Sequence, residues 1–182
     1  MILGLGRGLA EAYLSRPNNT VIAAVRDIDS QSSRSLSSLH TGNGSKLILV
    51  KIDSTSDTDP QDAVKHLKIK ENINHIDCVI ANSGIVNDYT PVTDVPIQAM
   101  KEHFNVNTLG PLLLFQATWP LLQAAKQPKF VVISTLVASI GGMGELPMRP
   151  TAYGSSKAAV NYVTSLIHFE HEGLIAFPLH PG

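Results

Sequence analysis

The chain has 182 residues, of which 43% are hydrophobic and 16% are charged, and its formal net charge is -1. A chain of this length suits one domain with a substantial hydrophobic core. The charge is balanced and forms no block of one sign, so there is no electrostatic reason to expect nucleic acid or an anionic membrane as a partner. No apolar run reaches the roughly 18 residues that would suggest a transmembrane helix.

The single cysteine, Cys78, excludes an intramolecular disulfide and favours a reducing compartment. Its apolar neighbours Val79 and Ile80 indicate a buried thiol instead of a nucleophile. The first ten residues contain several glycines and Arg7, which makes them a poor signal peptide. We therefore predict a cytoplasmic protein.

Short apolar runs alternate with segments that can be helical. The predicted strands are residues 20–25, 47–50, 76–81, 130–134 and 174–177. The predicted helices are residues 8–15, 30–39, 57–74, 96–125 and 151–171. The strands are continuously apolar, as expected for a parallel sheet that is covered on both faces. The pattern predicts one α/β domain over residues 1–182, with a doubly wound, Rossmann-like parallel sheet and ligands at the carboxyl ends of its strands.

The first candidate site residues are Gly4 and Gly6, which precede a predicted helix as a phosphate-binding turn would. The strand at 20–25 ends on an apolar residue where an acidic group would hold a ribose 2′-hydroxyl, and Arg26 follows it. An arginine there suits a 2′-phosphate, which predicts NADP(H) over NAD(H). Asp53, after the next strand, meets either the adenine edge or local backbone groups as a cap.

Two asparagines come next along the chain. Asn82 and Gly84 lie in a tight turn after the strand at 76–81, where glycine allows a ligand to approach the backbone. Asn82 either ties neighbouring strands together or is an ordinary turn residue. Asn107 and Gly110 lie inside the long predicted helix, where both are unfavourable, and such choices indicate a kink or a site.

The strand at 130–134 ends with Ser134, and Thr135 follows it directly. A hydroxyl at the carboxyl end of a strand can hydrogen-bond a substrate carbonyl in the cleft. The alternative is that both residues only satisfy local backbone groups as the strand ends. The residues alone leave these two interpretations open.

Tyr153 and Lys157 carry the strongest chemical signal. Their spacing places them on one face of the last predicted helix. A phenol is a poor acid at neutral pH, but an adjacent ammonium is expected to lower its pKa, so that it can protonate a carbonyl oxygen as hydride arrives. The alternative is a buried tyrosine beside a solvated lysine. His168 and His171 lie three residues apart without other ligand-type residues, so no metal site is predicted.

Taken in order, these motifs resemble the short-chain dehydrogenase/reductase family over nearly the whole chain. Tyr153 and Lys157 match its Tyr-x-x-x-Lys, and residues 81–84 resemble its Asn-Asn-Ala-Gly turn with alanine in the first place. Asn107 matches its helix asparagine, and Pro181-Gly182 matches its Pro-Gly after a late strand. Residues 141–146 and 152–157 are similar to fungal ketoreductases of the norsolorinic acid type and to small carbonyl reductases.

The resemblance implies NADP(H)-dependent reduction of a small ketone or aldehyde. Tyr153 would be the general acid, Thr135 would take the place of the family's catalytic serine, and Lys157 would also hold the nicotinamide ribose. Ser134 and Ser139 are the alternative hydroxyls, and Asn107 would order a water for proton relay. Relatives often form dimers or tetramers through their long helices. The implied cofactor contacts are Gly4, Gly6, Arg26, Asp53, Asn82, Gly84, Tyr153, Lys157, Pro181 and Gly182.

The family pattern also includes a strand before Gly4 and a further strand and substrate-covering segment after Gly182. We therefore expect an incomplete chain that lacks the usual first and last strands, with part of its phosphate-binding turn missing. An unpaired central strand position would expose the edges of its neighbours. The alternative function is a catalytically silent remnant, or a nucleotide-sensing protein on the same scaffold.

Overall fold

A computed structural model describes residues 4–182 of the chain. In these residues, helices alternate with five strands, and all strand pairs are parallel. The chain divides into two compact units, one ending at Asp59 and the other covering Pro60–Gly182. The α/β, Rossmann-like fold class is confirmed, whereas a single domain over residues 1–182 stays a prediction.

The first unit contains a two-stranded parallel sheet. Helix α1 (Leu5–Leu14) precedes β1 (Thr20–Val25), which pairs in register with β2 (Lys46–Lys51). Between the strands lie the short helix α2 (Gln31–Arg34) and a 3₁₀ turn (Ser35–Ser38). Buried side chains form its core, with partly buried leucines packed against them: Ala23, Val25, Leu36, Leu39, Leu47 and Leu49.

The second unit contains a three-stranded parallel sheet. Its central strand β4 (Lys129–Ile133) lies between β3 (Cys78–Ala81) and β5 (Ile175–Leu179). Phe130 and Val132 of β4 are completely buried in the main core, together with Phe115 and Leu122. The core is therefore built around the strand that is covered on both sides and both edges.

Four helical segments belong to or enter this unit. They are α3 (Asp59–Lys70), α4 (Ile97–Phe104), α5 (Gly110–Leu122) and α6 (Thr151–Glu170). A π-helical turn, Asn105–Leu109, joins α4 to α5. This turn lies at the predicted irregularity around Asn107 and Gly110. Among residues 4–182, no helix is both long enough and apolar enough to cross a bilayer.

All five predicted strands are present, with ends shifted by up to two residues. All five predicted helices also begin or end elsewhere. The helix expected at 8–15 is Leu5–Leu14, and the one expected at 151–171 ends at Glu170. The helix expected at 30–39 is two short turns, and the one at 57–74 begins at Asp59 and ends at Lys70. The long helix expected at 96–125 is interrupted by the π turn. A wider π turn opens the helical backbone, which explains how unfavourable helix residues are accommodated there.

Candidate active site

Lys157 is the most buried charged side chain of the candidate site. It lies one turn after Tyr153 near the start of α6 and is 3% exposed. Its Nζ donates a 2.7 Å hydrogen bond to the carbonyl oxygen of Ile133, the last residue of β4. The alternative of a solvated lysine is therefore wrong, and the ammonium is fixed at the carboxyl end of the central strand.

Thr135 is the hydroxyl that the structure brings to the phenol of Tyr153. Its hydroxyl is close enough to the phenol to lower the pKa of Tyr153. Thr135 Oγ1 also accepts a 3.2 Å hydrogen bond from the backbone N–H of Val137, which caps a 3₁₀ turn, Leu136–Ala138. This cap fixes the threonine side chain just beyond β4.

The two alternative hydroxyls have other partners. Ser134 is buried and donates a 2.6 Å hydrogen bond to Oδ1 of Asn161. Asn161 lies on α6 about two turns after Tyr153. Ser139 is exposed and accepts a hydrogen bond from the N–H of Gly142. Successive residues of an extended strand point in opposite directions, which explains why Ser134 and Thr135 separate. We therefore favour Thr135 as the hydroxyl of the site.

Burial changes the pKa values of both α6 side chains. It raises the pKa of Tyr153, and the nearby hydroxyl of Thr135 opposes this effect. It also lowers the pKa of Lys157 to about 8. The expectation that the ammonium lowers the pKa of this phenol is wrong for this structure, since burial dominates. Tyr153 is consequently a neutral phenol at neutral pH, which is the form that can donate a proton.

Asn107 holds the turn after β3 against α6. It is completely buried, and its Oδ1 accepts a 2.8 Å hydrogen bond from the N–H of Ile85. Its Nδ2 donates to the carbonyl of Ile85 at 2.9 Å and to Oγ of Ser156 at 3.0 Å. Both amide hydrogens are thus in use. A relay water near Asn107 would have to be held through an oxygen atom, not through the amide nitrogen.

Gly84 lies directly against these groups. A methyl group added at its Cα would lie 3.1 Å from Oδ1 of Asn107 and 3.3 Å from Nζ of Lys157. Both distances are slightly shorter than ordinary van der Waals contact, so a side chain at this position would require Asn107 or Lys157 to shift by a few tenths of an ångström. Asn82, also in this turn, is half-buried.

Asn82, Thr135 and Pro181 each follow the carboxyl end of a strand in the three-stranded sheet. The strands are neighbours and parallel, so these ends share one edge of the sheet. Pro181 and Gly182 are exposed. The structure therefore brings the second unit's predicted residues to one side of the sheet, where ligands bind in open α/β folds.

The predicted residues of the first unit lie at its helix start and strand ends. Gly4 is the N-cap of α1 with a φ of 75°, and Gly6 is in the first turn. Arg26 is exposed after β1 and lowers the pKa of Asp53 beyond β2. The main cause of that lowered pKa is Thr55, whose N–H and hydroxyl both donate to Oδ1 of Asp53. Asp53 thus makes the local capping contacts that the sequence predicted as the alternative to a contact with adenine.

Several groups outside the proposed reaction have structural partners. Nδ1 of His168 contacts the carbonyl of Leu174, and Nδ1 of His171 contacts that of Ile167. Cys78 is half-buried, and burial raises the pKa of its thiol. These contacts give the two histidines a role at the end of α6 and make Cys78 a weak nucleophile.

Sequence reasoning missed Ser156 and Tyr89. Ser156 is buried, and its carbonyl accepts a 2.8 Å hydrogen bond from Thr108 in addition to the contact with Asn107. Tyr89 is exposed and close enough to Tyr153 to affect its pKa. The only sequence signal for Tyr89 was an aromatic residue in a polar loop.

The three-stranded parallel sheet, with a Tyr-Lys pair and a strand-end hydroxyl at its carboxyl edge, defines an α/β fold of the dinucleotide-binding class. A family model described as short chain dehydrogenase matches residues 2–175. The chain belongs to the short chain dehydrogenase family, as the sequence resemblance predicted.

Fungal ketoreductases are among its relatives. It is 45% identical to norsolorinic acid ketoreductase of Dothistroma septosporum, over 98% of this chain and 68% of that protein. It is 41% identical to the norsolorinic acid ketoreductase of Aspergillus parasiticus, over 98% of this chain and 66% of that protein. The chain therefore spans about two thirds of the length of these relatives.

The fold is also similar to a solved reductase. The NADPH-bound carbonyl reductase from chicken fatty liver superimposes with a TM-score of 0.85 at 27% identity, over 98% of this chain and 72% of that one. Family membership and these relatives support oxidoreductase activity on C=O or CH–OH groups and the use of a nicotinamide cofactor.

Proposed function

We propose that the protein reduces a ketone or aldehyde with NADP(H), using Tyr153 as the general acid. The observation that carries this proposal is the position of the Tyr153 phenol near the Thr135 hydroxyl, close enough for Thr135 to lower its pKa, with the buried ammonium of Lys157 one helical turn after Tyr153. Burying an amine without an opposite charge is costly, which favours a functional role for Lys157. The family and its ketoreductase members support the same reaction.

NADPH, when bound, supplies the hydride that adds to the carbonyl carbon. Tyr153 donates its phenolic proton to the carbonyl oxygen, which becomes the alcohol oxygen. Thr135 donates a second hydrogen bond to the same oxygen and steadies it as charge develops. The resemblance assigns Lys157 the nicotinamide ribose, and its Nζ is held in place for this role by the carbonyl of Ile133.

The first unit has features that suit the phosphates of a dinucleotide. The N-terminus of α1 has no side-chain cap and no acidic residue in its first turn, so its free N–H groups and helix dipole favour an anion. A methyl group at Gly4 would meet no atom of residues 4–182 within 4 Å. Arg26 is the residue proposed to prefer the 2′-phosphate of NADP(H), and Asp53 is proposed to lie near the adenine. Asn82, Gly84, Pro181 and Gly182 would complete the cofactor contacts.

A titration with NADPH, followed by an assay of NADPH oxidation with a panel of ketones and aldehydes, tests the proposal. We expect saturable NADPH binding and carbonyl-dependent oxidation. Binding without oxidation of any carbonyl would instead favour a nucleotide-sensing protein. The separation of the described strands into two sheets is the observation that favours this second function.

Self-association and location are further proposals. Ile97, Phe104 and Leu109, on α4 and the π turn, are large apolar side chains that remain exposed. Burying them between two copies would be favourable, so we propose a homodimer or tetramer through these helices. Sedimentation of Phe104→Glu against the unchanged chain tests this, and an unchanged mass would contradict it. The cytoplasm is the proposed location.

A further inference from the structure

One residue of α6, Ser156, is bonded to two consecutive residues of the π turn. Its side-chain Oγ accepts a 3.0 Å hydrogen bond from Nδ2 of Asn107, and its backbone carbonyl accepts a 2.8 Å hydrogen bond from Oγ1 of Thr108. All three residues are at most 2% exposed. Successive residues of a regular α-helix are about 100° apart around its axis, so they do not usually face one neighbour. The π turn breaks this spacing, and Asn107 and Thr108 both reach Ser156.

The hydroxyl of Ser156 acts toward Asn107 only as an acceptor. Its single hydrogen is donated to the backbone carbonyl of Tyr153 at 2.7 Å, one turn earlier on α6. Asn107 must therefore present its amide nitrogen to Ser156 and turn its oxygen, Oδ1, to the other side. In this orientation Oδ1 accepts a hydrogen bond from the N–H of Ile85, and Nδ2 donates one to the carbonyl of Ile85.

The Gly84–Ile85 backbone connects this amide to the ammonium of the site. A methyl group at Gly84 would lie 3.1 Å from Oδ1 of Asn107 and 3.3 Å from Nζ of Lys157, so both atoms border the same small space. Ile85, the next residue, is bonded to Asn107 through both its N–H and its carbonyl. The place that Asn107 gives to this backbone is therefore part of what surrounds Nζ.

Thr164 shows that a buried hydroxyl on α6 does not need a partner on another segment. It is completely buried, and its Oγ1 donates a 2.7 Å hydrogen bond to the carbonyl of Val160 on the same helix. Such a bond satisfies the hydroxyl locally. Ser156 makes the corresponding bond to Tyr153 and in addition accepts the bond from Asn107. That second bond links α6 to the π turn.

We propose that Ser156 is a positioning residue for the ammonium of Lys157. It holds Asn107 in one orientation, and Asn107 in turn holds the Gly84–Ile85 backbone against Nζ of Lys157. Without the Ser156 hydroxyl, one N–H of Asn107 is buried and unpaired, so the amide moves and the backbone bonded to it follows. The proposal rests on the proposed function for the need to keep Lys157 in place during the reaction. Ser156 itself makes no contact with a ligand.

Hydrogen exchange of the full chain, followed by NMR, tests the attachment without relying on turnover. In Ser156→Ala, the ratio of the exchange rate of the Ile85 amide to that of the Val132 amide is expected to rise at least about fivefold, because the acceptor of Ile85 is no longer firmly held. Val132 lies in the completely buried central strand, so the ratio removes changes in global stability. Thr164→Val is the matched control, since it deletes a buried hydroxyl of the same helix, and it should leave the ratio within about twofold.

A conservative variant separates the hydroxyl from the size of the side chain. Ser156→Thr keeps a hydroxyl that can bond to a carbonyl of the preceding turn, and its ratio should stay within about twofold of that of the unchanged chain. An unchanged ratio in Ser156→Ala, or an equal rise in Thr164→Val or in Ser156→Thr, would overturn the proposal.

The titration of Lys157 reports whether the change at Ile85 reaches the ammonium. Burial lowers the pKa of Lys157 to about 8. NMR of the chain labelled at the lysine side chains is expected to show this pKa raised toward its ordinary value in Ser156→Ala, because water then reaches Nζ. The pKa should be unchanged in Thr164→Val. A constant pKa of Lys157 together with faster exchange at Ile85 would break the link between Ser156 and the ammonium and overturn the proposal.

Kinetics separate this proposal from the proposed function. With a carbonyl that the unchanged chain reduces, Ser156→Ala is expected to lower kcat at least about tenfold and to change KM less than about threefold, because a displaced ammonium affects the reaction more than substrate binding. Normal kcat with faster exchange at Ile85 would overturn the positioning role and leave the reductase proposal intact. Faster exchange and a raised pKa of Lys157 in a chain that reduces no carbonyl would instead overturn the reductase proposal and leave the attachment by Ser156 intact.

Discussion

Replacing Lys157 by methionine should change the pH dependence of stability by an amount that follows from its burial. Burial lowers the pKa of Lys157 from its ordinary value of 10.5 to about 8. The unfolded chain therefore holds this proton more tightly than the folded chain does. At about 1.4 kcal/mol for each pH unit, the charged lysine costs the folded state about 3 kcal/mol.

The sign of the effect follows from the direction of the pKa change. Below about pH 8 the full penalty is present, because Lys157 is charged in both states. Between about pH 8 and about pH 10.5 the folded chain loses the proton first, so stability rises with pH. Integrated from about pH 7 to about pH 10, the gain from this one group is about 2.5 kcal/mol.

Urea denaturation of the unchanged chain and of Lys157→Met at these two pH values measures this contribution. The other titrating groups are common to both proteins, so the difference between their pH dependences isolates Lys157. We expect the unchanged chain to gain about 2.5 kcal/mol more than Lys157→Met as the pH rises. Lys126→Met, at an exposed lysine, is the control and should behave like the unchanged chain. Equal pH dependence in the Lys157 variant would refute a buried ammonium at this position.

Three further predictions concern the site. Thr135→Ala should lower turnover roughly 100-fold with little loss of stability. Ser134→Ala should instead lower the free energy of unfolding by about 1 to 3 kcal/mol, because Asn161 loses its partner, and should leave turnover unchanged. The reverse pattern in paired kinetic and denaturation measurements would assign the catalytic hydroxyl to Ser134. Gly84→Ala should displace Asn107 or Lys157 and destabilise the chain by about 1 kcal/mol while lowering kcat, and normal kcat would show that the space is larger than the structure indicates. Arg26→Ala should weaken NADPH binding about 10- to 100-fold, and NADH binding much less; equal losses in calorimetric titrations would remove Arg26 from cofactor choice.

The strands were predictable because burial on both faces leaves a direct mark on the sequence. Residues 20–25 and 130–134, for example, are continuous apolar runs, and strands occupy both places. The π turn was also indicated, since Asn107 and Gly110 are poor residues for a regular helix. Helix ends were less predictable. The polar segment 30–39, for example, has no apolar periodicity from which its division into two short turns could be predicted.

The site was predictable only as far as neighbours in sequence determine it. The spacing of Tyr153 and Lys157 placed both on one face of α6, but their pKa values depend on burial by distant segments. The choice between Ser134 and Thr135 depends on which side of β4 each faces, and Asn161 is 27 residues away from Ser134. Ser156 went unnoticed because its partners Asn107 and Thr108 are far from it in the chain.

The role of Tyr153 as proton donor is tested most directly by Tyr153→Phe, which removes the phenolic hydroxyl and keeps the ring. In single-turnover oxidation of bound NADPH by a carbonyl that the unchanged chain reduces, we expect a rate roughly 100- to 10,000-fold lower with NADPH affinity retained. Tyr162→Phe, which makes the same change elsewhere on α6, should react at the normal rate. An undiminished rate in Tyr153→Phe with NADPH bound would contradict the mechanism.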